Sequence, residues 1–174
     1  MVKREDLPYR DCVGIAVFNA EGRVFVGRRK PEGDPEHLSV SDSPWQMPQG
    51  GIDKGETPLD AAWRELYEET SIRTADLIVE APDWIYYDLP DEALGIALRG
   101  KYRGQRQRWF AFRFTGEDAE IDVLAPGGGA HPAEFDRWRW EELEKTPDLI
   151  VAFKREAYLQ VVEAFSTVPA GIRG

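Results

Sequence analysis

The sequence holds one cysteine, Cys12, so no internal disulfide can staple the fold. Cys12 sits in an apolar run, which reads as a buried strand position rather than a catalytic thiol. No apolar run is long enough to span a bilayer, and the N-terminal MVKREDLPYRD lacks the apolar region of a signal peptide. The expectation is a cytoplasmic protein with no membrane partner. His37 has no second histidine or cysteine near it, which argues against a zinc-type site there. An excess of positive charge is also missing. The formal net charge is −10, which argues against wide non-specific binding of nucleic acid. Internal repeats, low-complexity tracts and domain linkers are absent. A chain of 174 residues with 42% hydrophobic residues then fits one domain, residues 1–174, with a core at about 9–165. Nothing in the sequence assigns an oligomeric state.

What is present alternates between strand and helix patterns. Asp11 to Asn19 reads as a buried strand, Asn19 to Gly22 as a turn, and Arg23 to Arg28 as the second arm of a hairpin. Pro31 to Pro44 reads as a loop and Trp45 to Pro48 as a short strand. Asp76 to Glu80, Trp84 to Asp88 and Gln105 to Phe114 read as strands, with an ambiguous connection from Leu89 to Gly100. Gly116 to Gly129 reads as a hairpin and loop, Phe135 to Trp140 as a strand, and Thr146 as the start of a helix or turn. Ala152 to Phe165 has apolar residues at helical spacing, and the tail from Ala170 reads as loose. The pattern predicts an α/β fold with a mixed sheet between helices. One segment departs from the acidic balance: Arg99 to Arg113 holds six basic residues and no acidic one, which suggests a focused anionic ligand.

The chain is organised around Gly50 to Ile72, GGIDKGETPLDAAWRELYEETSI. Glu65, Glu68 and Glu69 are spaced i, i+3 and i+4, so a helix puts them on one face. Three acids there repel one another unless something positive joins them, and carboxylate oxygens suit a hard divalent cation, Mg²⁺ or Mn²⁺. Thr57 can cap the helix, Pro58 fits its first position, and Leu59, Ala62 and Leu66 supply an apolar stripe. Arg64 stands beside Glu65 and four residues before Glu68, where it can orient the acids, with Glu56 within its reach. Gly50, Gly51 and Gly55 allow a tight loop that approaches a ligand closely.

Gly50, Glu56 and the run Arg64-Glu65-Leu66-x-Glu68-Glu69 at this spacing resemble the signature box of the Nudix hydrolases. Ser71 stands where that family usually has glycine. Further stretches resemble one branch, which holds RNA pyrophosphohydrolases and dinucleoside polyphosphate hydrolases. They are Tyr9-Arg10, Trp45 to Gly51, Gly104 to Phe110, Glu134 to Trp140 and Val151 to Arg155. The resemblance implies an α/β/α sandwich and metal-dependent hydrolysis of a phosphoanhydride. The metal ligands it implies are Glu65, Glu68, Glu69, Glu134 and the Gly50 carbonyl. The general base is Glu65 or Glu134. Arg29, Arg106 and Arg108 are candidate phosphate contacts, and Val151 and Phe153 candidate contacts to a nucleobase. The substrate implied is the 5′-triphosphate end of RNA, with diadenosine tetraphosphate and related dinucleotides as the alternative. An inert module that only binds a nucleotide or RNA end would be expected to lose metal ligands, and this chain keeps them.

Overall fold

In a computed structural model, residues 2–30 and 44–174 are described. Their strands make one mixed sheet built on β1 (Tyr9–Phe18). Seven consecutive residues of β1, Cys12 to Phe18, are buried, as expected of a strand covered on both faces. Each large apolar side chain of such a run contributes about 1.5–3 kcal/mol on burial. Along its whole length β1 runs parallel to β7 (Gly104–Phe114), from Tyr9 opposite Gly104 to Phe18 opposite Arg113. β5 (Ala75–Glu80) and β6 (Ile85–Asp88) pair antiparallel with β7.

The other side of β1 forks. β2 (Val24–Arg29) pairs with it only at Phe18 opposite Val24. β4 (Gln49–Gly51) takes the place beside Cys12, Val13 and Gly14. β2 instead continues between β3 (Trp45–Gln46) and β8 (Phe135–Glu141). The fork matters because it seats β4, which carries Gly50 and Gly51, directly beside β1.

Helix α1 (Pro58–Thr70) covers one face of the sheet, packing Ala62 and Leu66 with Val13, Ile15, Phe110 and Phe112. Helix α2 (Arg155–Ala164) covers the other, packing Tyr158 and Val161 with Ala16, Trp109 and Met47. The layers are the expected α/β/α sandwich. Cys12 is fully buried, as its apolar neighbours predict.

Three expectations are corrected. Residues 116–129 form no hairpin: 3-10 turns at Asp118–Glu120 and Pro126–Gly129 carry the chain across to β8, which pairs with β2 and not with β7. Thr146 does not start an element. It is buried inside a 3-10 segment, Leu143–Asp148, with its hydroxyl on the Leu143 carbonyl. The tail is not loose: α3 (Val168–Arg173) follows α2, and Arg173 reaches the Glu21 carbonyl. Its pattern is too short to read from periodicity. The expected Pro31 to Pro44 loop, His37 included, falls outside the described residues except for Pro44.

Candidate active site

The local chemistry of α1 fixes where its acids stand. Thr57 caps the helix, its hydroxyl accepting from the Asp60 amide at 3.1 Å, and Pro58 opens the first turn. At the far end Ser71 adopts a left-handed conformation (φ 69°), where glycine is the usual residue. Its hydroxyl makes up for part of the strain. It donates to the Asp122 carbonyl at 3.0 Å and accepts from the Gly127 amide at 3.0 Å. The Gly127–Gly129 run is thus part of a built turn against the end of α1, with all three glycines at positive φ.

Arg64 ties the glycine loop to the helix. Its Nε and Nη2 grip Glu56 at 2.8 and 2.9 Å, and Nη2 also donates to the Gly51 carbonyl at 2.8 Å. Nη1 donates to Glu65 at 2.7 Å and to Glu68 at 3.2 Å. Glu56 in turn accepts from the Asp53 amide at 3.0 Å, which closes the loop. The Arg64 fork holds the Glu56 carboxyl below its ordinary range.

Glu65 lies against Gly50, and a Cβ there would overlap its carboxyl group, so only glycine lets β4 pass this close. Burial pushes the Glu65 carboxyl up to about 7, against the opposing pull of Arg64. Glu69 is buried at 6% exposure, and its Oε2 has no hydrogen-bond partner. Burial first, then the charges of Glu65 and Glu134, push its carboxyl well above the ordinary range. Arg29 and a backbone hydrogen bond from Gln49 act the other way without outweighing them. The exposed Glu134, and Arg29 at the end of β2, thus lie near enough to Glu69 for their charges to act on it.

A buried carboxylate oxygen without a donor, beside two further acids, is a set that a hard cation satisfies. Glu65, Glu68, Glu69, Glu134 and the Gly50 carbonyl supply only oxygen donors, so the residues fit a divalent ion. Among the described residues no three acids are yet gathered into a closed cage. Arg64 Nη1 holds Glu65 and Glu68, and taking up the ion requires those carboxylates to turn.

The substrate candidates divide. Val151 is buried in the α2-side core, while Phe153 is half-buried with its ring 5.7 Å from Tyr87. Lys154, 3% exposed, lies 5.2 Å from the Tyr87 ring and 5.8 Å from that of Phe153. Arg106 is held by both oxygens of Asp11 at 2.6 and 3.1 Å and Arg108 by Glu80 at 3.0 Å, with Trp84 against both. The described contacts of Arg106 and Arg108 thus lie along the strand face and not with the acids of α1.

Sequence reasoning missed a buried polar ladder. Gln107 donates to Gln49 at 2.8 Å and to Gln105 at 2.9 Å, and accepts from the Trp109 indole at 2.9 Å. The alternation Gln105-x-Gln107-x-Trp109 was the available signal, because period two places all three on one face. It also missed Tyr158, whose hydroxyl accepts from the Met47 amide at 2.9 Å and whose surroundings include Glu69.

The chain has counterparts among known proteins. A family model described as NUDIX domain matches residues 8–161. The chain belongs to the Nudix family. Members of the Nudix family generally use divalent metal ions, in line with the oxygen-donor set described above. A protein of Mesorhizobium japonicum named RNA pyrophosphohydrolase is 59% identical over 165 residues, covering 95% of this chain and 94% of the relative. One of Agrobacterium fabrum with the same name is 60% identical over 164 residues, covering 94% and 95%. Among solved Nudix folds, the dihydroneopterin triphosphate pyrophosphohydrolase of E. coli superposes with a TM-score of 0.62 at 20% identity, covering 90% of this chain and 98% of that one. It supports the fold.

Proposed function

We propose that this Nudix hydrolase removes pyrophosphate from the 5′-triphosphate end of RNA and leaves a 5′-monophosphate. The observation that carries the reading is the kinship with proteins named RNA pyrophosphohydrolase, at 59% and 60% identity over nearly the whole of both chains. The site supports it. Glu134 and Arg29 lie near enough to Glu69 for their charges to act on it, and half-buried Phe153, packed against the buried Tyr87, offers a nucleobase an apolar face. The reading takes residues 1–174 as one domain. It places the enzyme in the cytoplasm, where 5′-triphosphorylated RNA is made. No described helix is long and apolar enough to cross a membrane.

Glu65, Glu68, Glu69, Glu134 and the Gly50 carbonyl would hold Mg²⁺ or Mn²⁺. When bound, such an ion neutralises phosphate charge and makes water a better nucleophile. The chain's own residues position the parts, which is most of what phosphoanhydride hydrolysis requires. Arg64 fixes the loop and aims Glu65. Arg29 meets a phosphate oxygen. Val151 and Phe153 border the base. The proton of the attacking water passes to Glu65 or to Glu134, and the activities of Glu65→Gln and Glu134→Gln distinguish the two.

The test is a competition between 5′-triphosphorylated RNA and diadenosine tetraphosphate with Mg²⁺, alongside Glu69→Gln. Faster conversion of the RNA to its monophosphate, abolished by Glu69→Gln, is the expected result. Preferential release of ATP and AMP from the dinucleotide would overturn the RNA assignment and leave a dinucleoside polyphosphate hydrolase.

A further inference from the structure

The six basic residues between Arg99 and Arg113 do not form one patch. Arg103 is held by Asp88 at 3.1 Å, Arg106 by Asp11 and Arg108 by Glu80, so three of the six are neutralised in place. Arg113 lies at the other end of β7, beside Asp76. Arg99 and Lys101 remain. Both are exposed, and neither has an acidic partner among the described residues. They line a cavity of about 330 Å³ with Arg10, Leu98 and Tyr102, and no acid lines it. In a chain of net charge −10, three cations around one cavity that no acid lines need a physical reason.

The segment that presents them is built. Ala93 and Ala97 are buried in the α2-side core and pin it from below. Between and after these pins, Leu98 and Arg99 stand in the left-handed region at φ 55° and 59°, and Gly95 and Gly100 at 84° and 70°. Two consecutive side-chain-bearing residues in that region cost about 1–2 kcal/mol each, a strain found where a segment serves a ligand. The cavity shares one residue, Arg10, with the surroundings of the candidate active site. The Arg10 guanidinium lies on Gly51, at the base of the glycine loop, and its charge acts on Glu65.

We infer that the cavity of Arg10, Arg99 and Lys101 receives the phosphodiester backbone of single-stranded RNA just downstream of the 5′ end. This rests on the pyrophosphohydrolase reading. Arg10 bridges the reacting end and the track. Arg99 and Lys101 meet the following phosphates, and half-buried Tyr102 offers a face on which a base can stack. The track makes catalytic efficiency depend on RNA length beyond the first two nucleotides, and on salt.

The experiment compares wild type, Arg99→Gln/Lys101→Gln and Arg99→Lys/Lys101→Arg on three substrates: a 5′-triphosphorylated dinucleotide, a 5′-triphosphorylated hexanucleotide and diadenosine tetraphosphate. For the hexanucleotide the double glutamine variant raises KM about tenfold at unchanged kcat, and the charge-preserving variant restores it. The plot of log kcat/KM against log salt becomes shallower by about 1.4, since each lost single-strand phosphate contact removes about 0.7. The dinucleotide and diadenosine tetraphosphate change less than twofold. An unchanged hexanucleotide KM, or an equal rise for all three substrates, overturns the track while wild type still converts RNA. A rise confined to diadenosine tetraphosphate overturns it in favour of a second-nucleoside site. A wild type that converts neither RNA overturns the pyrophosphohydrolase reading, and the track with it.

Discussion

Replacing Arg64 by lysine keeps the charge and removes the fork. The structure gives that change a size. Arg64 makes five hydrogen bonds: two to Glu56 and one each to the Gly51 carbonyl, Glu65 and Glu68. An ammonium group has three protons and no planar spread, so at least two bonds are lost, and the paired grip on Glu56 goes first. Hydrogen bonds to charged groups contribute about 1.5–3 kcal/mol each. The Arg64 side chain is 26% exposed, so water replaces part of each loss. A net loss of about 2 kcal/mol follows, which lowers Tm by about 4–8 °C for a chain of this size. Activity suffers more, because the same bonds fix the loop against Glu65, and misplacement by about 1 Å costs about 100-fold in rate. The assay is kcat at saturating Mg²⁺ with 5′-triphosphorylated RNA, beside thermal melting. If Arg64 served only to neutralise the acids, lysine would suffice. A variant within threefold of wild-type kcat and within 1 °C of its Tm would refute the orienting role.

Four further outcomes are expected. Glu69→Gln abolishes turnover yet melts no lower than the metal-free wild type, because the amide removes the cost of a buried carboxylate without a donor on Oε2. A substantially lower melting temperature for that variant would contradict this reading. Mg²⁺ at 100 times its Kd raises stability by about 2.7 kcal/mol and chelation reverses it; circular dichroism melts with and without chelator check this. Gly14→Ala drives a methyl into the Trp109 ring, which is 1% exposed and held by Gln107, so it destabilises by about 3 kcal/mol with little effect on KM. Burial raises the Glu120 carboxyl, but bonds from the Thr74 hydroxyl and the Arg73 and Thr74 amides outweigh it and leave it lowered. Its stabilisation is therefore full above the unfolded value of about 4.3 and is lost as pH falls through the lower folded one. Between pH 5 and pH 3 wild type should lose more stability than Glu120→Gln in urea titrations.

The sequence by itself determined the loop, the helix and its acids. A cap at Thr57, a proline at the first turn and an i, i+3, i+4 spacing act over a few residues, so they are legible wherever they occur. It also determined most strands, because alternation and β-branched runs are local. The weaker readings were those whose partners lie far along the chain. Residues 116–129 carry turn chemistry that a hairpin would share, and only the pairing of β8 with β2 decides against one. Ser71 keeps a glycine's conformation because Asp122 and Gly127, more than 50 residues on, bond its hydroxyl. The run from Arg99 to Arg113 reads as one basic patch in sequence. The sheet splits it, because parallel pairing of β1 with β7 brings Asp11 to Arg106 and antiparallel pairing of β5 and β6 places Glu80 and Asp88 beside the same strand. Tertiary structure alone decided the burial of Glu69. β4, seated beside β1, brings a Gln49 backbone hydrogen bond to the Glu69 carboxyl group, and spacing along a helix carries no information about what packs above it.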